Sequence, residues 1–231
     1  MDATQRVPPV LQRQRDMDKK VFLTFDDAVG TQFANAVPVL REFGFGATFF
    51  ITRFGDDWRA EHAATLLTDD QLKAIAAAGF EIGNHTLTHA FLPNLDEDGI
   101  RREVESLESW LAERGIARQT SFAYPGGPYC EKAAAILRDM GYRRARTVED
   151  PFALPRPYDP MRIPSIALDD SHPEHWTRAM EVLDAGLPLV LCYHGTPDRV
   201  HPWVNTEADS FRTQMRELKD RACEVLPLSA F

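Results

Sequence analysis

Two adjacent aspartates, Asp26 and Asp27, close the apolar run VFLTF, and two histidines four residues apart, His85 and His89, close the run EIGN. A third histidine, His194, ends PLVLCYH. Imidazole and carboxylate are what a divalent transition ion takes as ligands. Histidines at i and i+4 meet on one side of a helical turn, and with Asp27 they offer two nitrogens and one oxygen while leaving a position open to water. That donor set is expected to hold one Zn2+, although Co2+, Ni2+, Mn2+ and Fe2+ also accept it. Neighbouring carboxylates repel each other unless a cation is shared, and strand alternation turns them in different directions. One can therefore bind metal while its neighbour moves protons. Each signal has a bland counterpart: a strand end running into a solvated turn, a pair of loop histidines, a core imidazole at His194. What the bland readings leave unexplained is that all the candidates stand at the same end of separate apolar runs.

Those runs are the elements that must position them. VFLTFDD (21–27), ATFFIT (47–52), EIGNHT (81–86), SFAYP, RRARTV, RIPSIAL and PLVLCYHG read as strands, and EVLPL near the C-terminus as one more. Between them lie helical patterns such as QFANAVPVLREFG (32–44), a segment capped by Thr68 and ended by Gly79, and the amphipathic stretch 96–115. Parallel strands need helix-sized crossovers, so the alternation predicts an α/β fold, a distorted (β/α) barrel of about seven parallel strands with its site at the C-terminal rim. No phosphate-cradling glycine motif follows any strand, which removes the usual nucleotide-binding alternative. The four-proline stretch 149–160 reads as a rim loop. The division expected is a polar tail over 1–20 and a single catalytic domain over 21–231.

A formal net charge of -9 disfavours a phosphate-rich partner such as nucleic acid, and no run is long and apolar enough to span a bilayer. The polar opening lacks the apolar middle of a signal peptide. Three cysteines without metal-type spacing favour reduced thiols and, with the opening, a cytoplasmic protein.

In order along the chain, TFDDA (24–28), HTLTH (85–89), FAYPGG (122–127) and CYHG (192–195) resemble the motifs of the polysaccharide deacetylases, carbohydrate esterase family four. The resemblance implies an Asp-His-His metal site on Asp27, His85 and His89, a general base at Asp26 and a general acid at His194. Asp26 would take a proton from a water acidified by the ion, the backbone N–H of Gly126 would help hold the oxyanion, and His194 would protonate the leaving amine. Two features depart from the pattern. The arginine that commonly pairs with the base two residues before the third-motif proline is replaced by Ala123, and Arg162 is the candidate to supply the guanidinium from elsewhere. The aspartate that tunes the catalytic histidine has no clear counterpart, leaving Asp150, Asp169 and Asp170 as candidates.

The expected partner is an acetylated saccharide, with an N-acetyl group preferred. Tyr124, Pro125, Cys192, Trp176 and Trp203 are the candidate substrate contacts, and Trp58 and Tyr158 are further possible platforms for a sugar face. Cys192 replaces a leucine that in the family lines the acetyl-methyl pocket. An O-acetyl esterase or a hydrolase of another small C–N bond fits the same site, and a non-catalytic saccharide-binding module is the third reading.

Overall fold

The computed structural model describes residues 19–231; most of the expected polar tail lies outside the described residues. Eight parallel strands form one sheet: β1 (Lys20–Phe25), β2 (Thr48–Ile51), β3 (Glu81–Asn84), β4 (Ser121–Ala123), β5 (Arg144–Arg146), β6 (Ile166–Ala167), β7 (Leu189–Tyr193) and β8 (Glu224–Leu226). Their order is β5-β4-β3-β2-β1-β7-β6, and β8 pairs with the first half of β1 while β2 pairs with its end. Seven α-helices are described: α1 (Val37–Phe43), α2 (Asp56–His62), α3 (Asp69–Ala77), α4 (Glu97–Ala112), α5 (Glu131–Asp139), α6 (Glu174–Asp184) and α7 (Ala208–Asp220). A π-helical turn, Gln32–Ala36, leads into α1, and Gly44 at φ 71° ends it. Thr68 caps α3 through a full capping box with Gln71. α2, which breaks no apolar periodicity and carries two aspartates in its first turn, was not legible as a helix in the sequence.

Strand RIPSIAL of the sequence reading is split in two. Ile163 bridges Arg146 of β5, whereas Ile166 and Ala167 pair with Leu191 and Cys192 of β7. Pro164 stands between them, with no N–H to give a ladder. The two halves join the ends of the sheet, so the barrel closes through an interrupted strand.

Alternation sorts the strand residues into two cores. Val21, Leu23, Phe25, Phe49, Ile51, Leu189 and Leu191 face the helices in the largest buried cluster. Phe22, Phe50, Ala123, Ile163, Val190 and Leu228 fill the lumen. At its floor Glu81 accepts from Thr48, Ser121 and the Ser229 amide. Above it, Gly83 is the inward residue of β3 because Phe50 occupies its side-chain space: a Cβ there would lie 2.3 Å from the ring. Gly83→Ala is therefore expected to destabilise the protein by about 1–3 kcal/mol, the usual cost of overpacking, read as a lowered thermal midpoint. An unchanged midpoint would mean that Phe50 is not fixed as described.

Candidate metal centre and active site

The same alternation delivers polar groups to the top layer of the lumen. Phe22, Thr24 and Asp26 form the inward series of β1, Gly83 and His85 that of β3, and Cys192 and His194 that of β7. Asp27 would by alternation turn outward. Instead Asp27 takes φ 72° and Ala28 φ 51°, a left-handed step that swings the second carboxylate back over the lumen. Such a conformation costs a non-glycine residue about 1–2 kcal/mol, and Thr86 (φ 63°) and His89 (φ 59°) share it. The HTLTH segment is thus a strained bend and not the helical turn its spacing suggested, although it still brings the two rings to 4.9 Å, nearly perpendicular.

His85 Nε2 lies 3.6 Å and His89 Nε2 3.4 Å from Asp27 Oδ1. Ligand atoms on a tetrahedral ion with bonds of about 2.0–2.2 Å stand about 3.3–3.6 Å apart, so the three donors are spaced for one ion. The protons agree. His85 Nδ1 is 2.8 Å from the Ala123 carbonyl, so it carries the N–H and leaves the Nε2 lone pair aimed at Asp27. Asp27 Oδ1 is buried without a hydrogen-bond partner among the described residues. Burial pushes the Asp27 carboxyl up to about 6, with the charge of Asp26 adding to the rise and His194 opposing it. Burial pushes His85 down to about 3 and lowers His89, so both imidazoles are neutral donors. A carboxylate lacking positive charge, faced by two lone pairs, fits a divalent cation.

Asp26 is built for another state. Burial would raise it, but Arg146 beside it, helped by His85 and His194, holds its carboxyl down at about 2. Arg146 is wholly buried; one Nη donates to Asp26 Oδ2, the other to Ser165 Oγ at 3.3 Å, and the guanidinium lies 5.5 Å above the Phe50 ring. The Cys192 thiol sits 3.6 Å from the same Oδ2. Oδ1 of Asp26 has no hydrogen-bond partner among the described residues. The Gln32 amide, also buried, donates to the carbonyls of both Asp26 and His194 and so pins the two strand ends together.

The guanidinium on Asp26 therefore comes from Arg146, not from Arg162 as the sequence suggested. Arg162 makes a two-pronged pair with Glu149 at 2.6 and 3.0 Å and lies over the Tyr129 ring, half-exposed on the rim. Arg162→Ala is expected to change turnover less than about threefold and stability by less than about 1 kcal/mol, the scale of an exposed pair. A loss in either quantity as large as that of an Arg146 variant would return Arg162 to the site.

His194 Nε2 is 3.9 Å from Asp27 Oδ2, and its Nδ1 is buried with no hydrogen-bond partner among the described residues. None of the three aspartates considered for it is paired there. Asp150 pairs with Arg178, Asp169 with His172 and His175, and Asp170 accepts from Ser210 and the Glu207 amide. Gly126 occupies the third position of a turn closed by Gly127 N–H to the Tyr124 carbonyl at 2.9 Å; at φ 72° behind Pro125, its own N–H is not used by the turn. Tyr124 faces outward, its hydroxyl donating to the Met161 carbonyl, so its side chain is core and not a substrate contact; Pro125 is buried beneath Gly126.

Of the aromatics, Trp176 packs on the outer core and donates to Glu217, and Tyr158 is buried with its hydroxyl on the Pro151 carbonyl; neither joins the site. Trp58 does. It stacks on His201 at 5.6 Å, Phe54 bridges to His89 at 5.6 Å, and Trp203, 66% exposed, stands edge-on to His201. The His201 ring is held by the fully buried Asp198 at 3.3 Å, a residue pair that sequence reading missed. Phe91, also exposed, lies beside Gly126.

The model of the polysaccharide deacetylase family matches residues 13–145, more than half of the chain. The chain belongs to the polysaccharide deacetylase family. Among curated relatives, the putative polysaccharide deacetylase YxkH of Bacillus subtilis is 29% identical over 60% of this chain and 48% of its own length. The poly-beta-1,6-N-acetyl-D-glucosamine N-deacetylase of Staphylococcus aureus is 25% identical over 68% of this chain and 57% of its own length. The chain thus spans about half the length of these relatives. Among the solved structures that share its fold are the following two. The family 4 carbohydrate esterase from Streptomyces lividans, in complex with acetate, has TM-score 0.61 at 16% identity, covering 90% of this chain and 92% of that one. A CE4 family pseudoenzyme from Bacillus anthracis, BA3943, has TM-score 0.64 at 20% identity, covering 92% and 65%. The family model ends at residue 145, before Arg146 and His194.

Proposed function

We propose that this polysaccharide deacetylase is a metal-dependent hydrolase that removes acetyl groups from an N-acetylated sugar or polysaccharide. The observation that carries the reading is the unequal treatment of Asp26 and Asp27. Arg146 keeps Asp26 ionised with one oxygen free to accept a proton, while Asp27, short of positive charge, faces two neutral imidazoles.

Asp27, His85 and His89 would hold the ion. When bound, a divalent cation supplies Lewis acidity, acidifying water and polarising a carbonyl. Asp26 Oδ1 takes the proton of the attacking water, and the fixed Arg146 stops that carboxylate from turning away. The N–H of Gly126, which its turn does not use, would stabilise the oxygen as negative charge develops on it. His194 delivers a proton to the departing nitrogen, without which an amine anion is a poor leaving group. The Cys192 thiol, buried and pushed up by burial, stays neutral and serves as a small apolar wall for the acetyl methyl. Trp58, His201 and Trp203, packed on the buried Phe54 that reaches His89, and Phe91 beside Gly126 offer faces on which sugar C–H groups can stack. The binding-module reading rests on the missing motif arginine and the missing aspartate beside His194; Arg146 supplies the first charge by another route, and the second partner is still absent among the described residues.

The test is acetate release from N-acetylglucosamine oligomers, acetylated xylan and an aryl acetate, with and without chelator. Asp26→Asn is expected to lose about 10²–10⁴-fold, the worth of a general base, with the fold and metal content unchanged. Release from esters alone would make the protein an O-acetyl esterase, and release unaffected by Asp26→Asn would remove the proposed base.

A further inference from the structure

We propose that Asp169, His172 and His175 form a second divalent-cation site, at the head of α6 and apart from Asp27, His85 and His89. The segment DDSHPEH places three donors three residues apart, between the C-terminal end of β6 and the first turn of α6. Asp169 is fixed before any ligand arrives. Its carboxylate accepts from the Ser171 amide at 3.0 Å and from the Ser171 hydroxyl, and its side chain is only 7% exposed. The two imidazoles lie nearly parallel, 5.1 Å apart, each presenting Nδ1 to a different oxygen of that one carboxylate, at 2.9 Å for His172 and 3.5 Å for His175.

The His172 contact is a hydrogen bond. The His175 contact is not: its Nδ1 is buried and has no partner among the described residues. A cation held between the two imidazoles and the carboxylate would give that nitrogen a partner and keep the carboxylate satisfied. The 3.5 Å between His175 Nδ1 and Asp169 Oδ2 suits two ligands on one tetrahedral ion, and one ligand atom from each of the three residues lies within 4.8 Å of the others, so His172, now hydrogen-bonded to Oδ1, can join them as its shared proton leaves. Two nitrogens and one oxygen select a borderline ion such as Zn2+, Co2+ or Ni2+ over Mg2+ or Ca2+, which prefer oxygen shells. The start of α6 opposes a cation through its dipole, and the carboxylates of Asp169 and Glu174 offset this. Asp170, next in the chain, binds the Asn205 carbonyl through its amide and takes hydrogen bonds from Glu207 and Ser210. An ion on Asp169 would therefore stiffen the rim where it meets the loop that presents His201 and Trp203.

The test uses the full chain stripped of metal and titrated with Zn2+ by calorimetry and with Co2+ by its visible absorption, Mg2+ serving as control. Wild type is expected to take two ions, and both Asp27→Asn and the double variant His172→Gln/His175→Gln one each. Asp169→Asn, whose amide oxygen still accepts from the Ser171 amide, should weaken the second site at least tenfold. The histidine double variant should release acetate within about twofold of wild type once the first centre is saturated. One ion in wild type and none in Asp27→Asn would overturn the second site and leave the proposed function standing. One ion in Asp27→Asn with no acetate release by wild type would do the reverse.

Discussion

Arg146→Met is expected to cut deacetylation at neutral pH by about 10²-fold or more and to return part of it as the pH is raised. The guanidinium is what opposes burial at Asp26, so its loss lets the carboxyl rise from about 2 towards the range set by desolvation. A base that is protonated at pH 7 becomes active only as the solution is made more alkaline, about tenfold per unit until its new pKa is passed. Wild type should show no acid limb from Asp26 above about pH 3. Stability follows with a definite sign. The depressed Asp26 contributes stability that is present above its unfolded value, about 3.9, and is lost only as pH falls through about 2. In the variant the carboxyl is raised, and the unfolded value is common to both proteins, so the deficit against wild type grows as pH rises from about 2 until the variant's own pKa is passed. At neutral pH it should reach about 3–5 kcal/mol, the cost of stranding a buried charge. Arg146→Lys keeps the charge but not the fork that reaches both Asp26 and Ser165, and should recover part of both losses. A pH–rate profile for Arg146→Met that superimposes on that of wild type would show that Asp26 is not the group whose ionisation limits the reaction.

Metal removal should lower acetate release by at least about 10³-fold, and zinc should raise the thermal midpoint of the stripped protein. The pH dependence of uptake is sharper. In the metal-free protein burial holds the Asp27 carboxyl at about 6, while His85 titrates near 3 and His89 is lowered. Above about pH 6 the ion meets an ionised carboxylate and neutral imidazoles, so affinity should be flat. Below it the ion must displace a proton from Asp27, and the apparent affinity should fall about tenfold per unit. Asp27→Asn should abolish binding at this centre and with it the slope. A slope that begins near pH 4 would mean that Asp27 is not as desolvated as its position implies.

The legible and illegible parts of this site divide along a physical line. Asp26, Asp27, His85, His89 and His194 could be found because strand ends are marked by apolar runs, and a parallel barrel brings strand ends together. Arg146 obeys the same rule, as the inward residue at the end of β5, but it is one of three arginines in RRAR, and the strand reading does not say which of them turns inward. Only the parity shared with Asp26 separates Arg146 from Arg143, and parity needs a strand's register. Arg162 misled because Pro164 ends its pairing early and leaves it on the rim beside Glu149. The bend that joins His85 to His89 could not be read at all, since it depends on positive φ at residues whose types disfavour it.

The interrupted closing strand gives the Arg146–Asp26 pair a mechanical meaning as well as an electrical one. From β4 through β1 to β7 the wall is a continuous ladder, and it carries both aspartates and all three site histidines at or just beyond its strand ends. On the far side, Pro164 leaves a seam whose hydrogen bonds are few. Arg146 stands on one lip of that seam and reaches across the lumen to Asp26 on the opposite wall. The ion pair is a cross-brace: it limits how far the barrel can gape, and so the same contact that charges the base also sets the width of the cleft in which the base works.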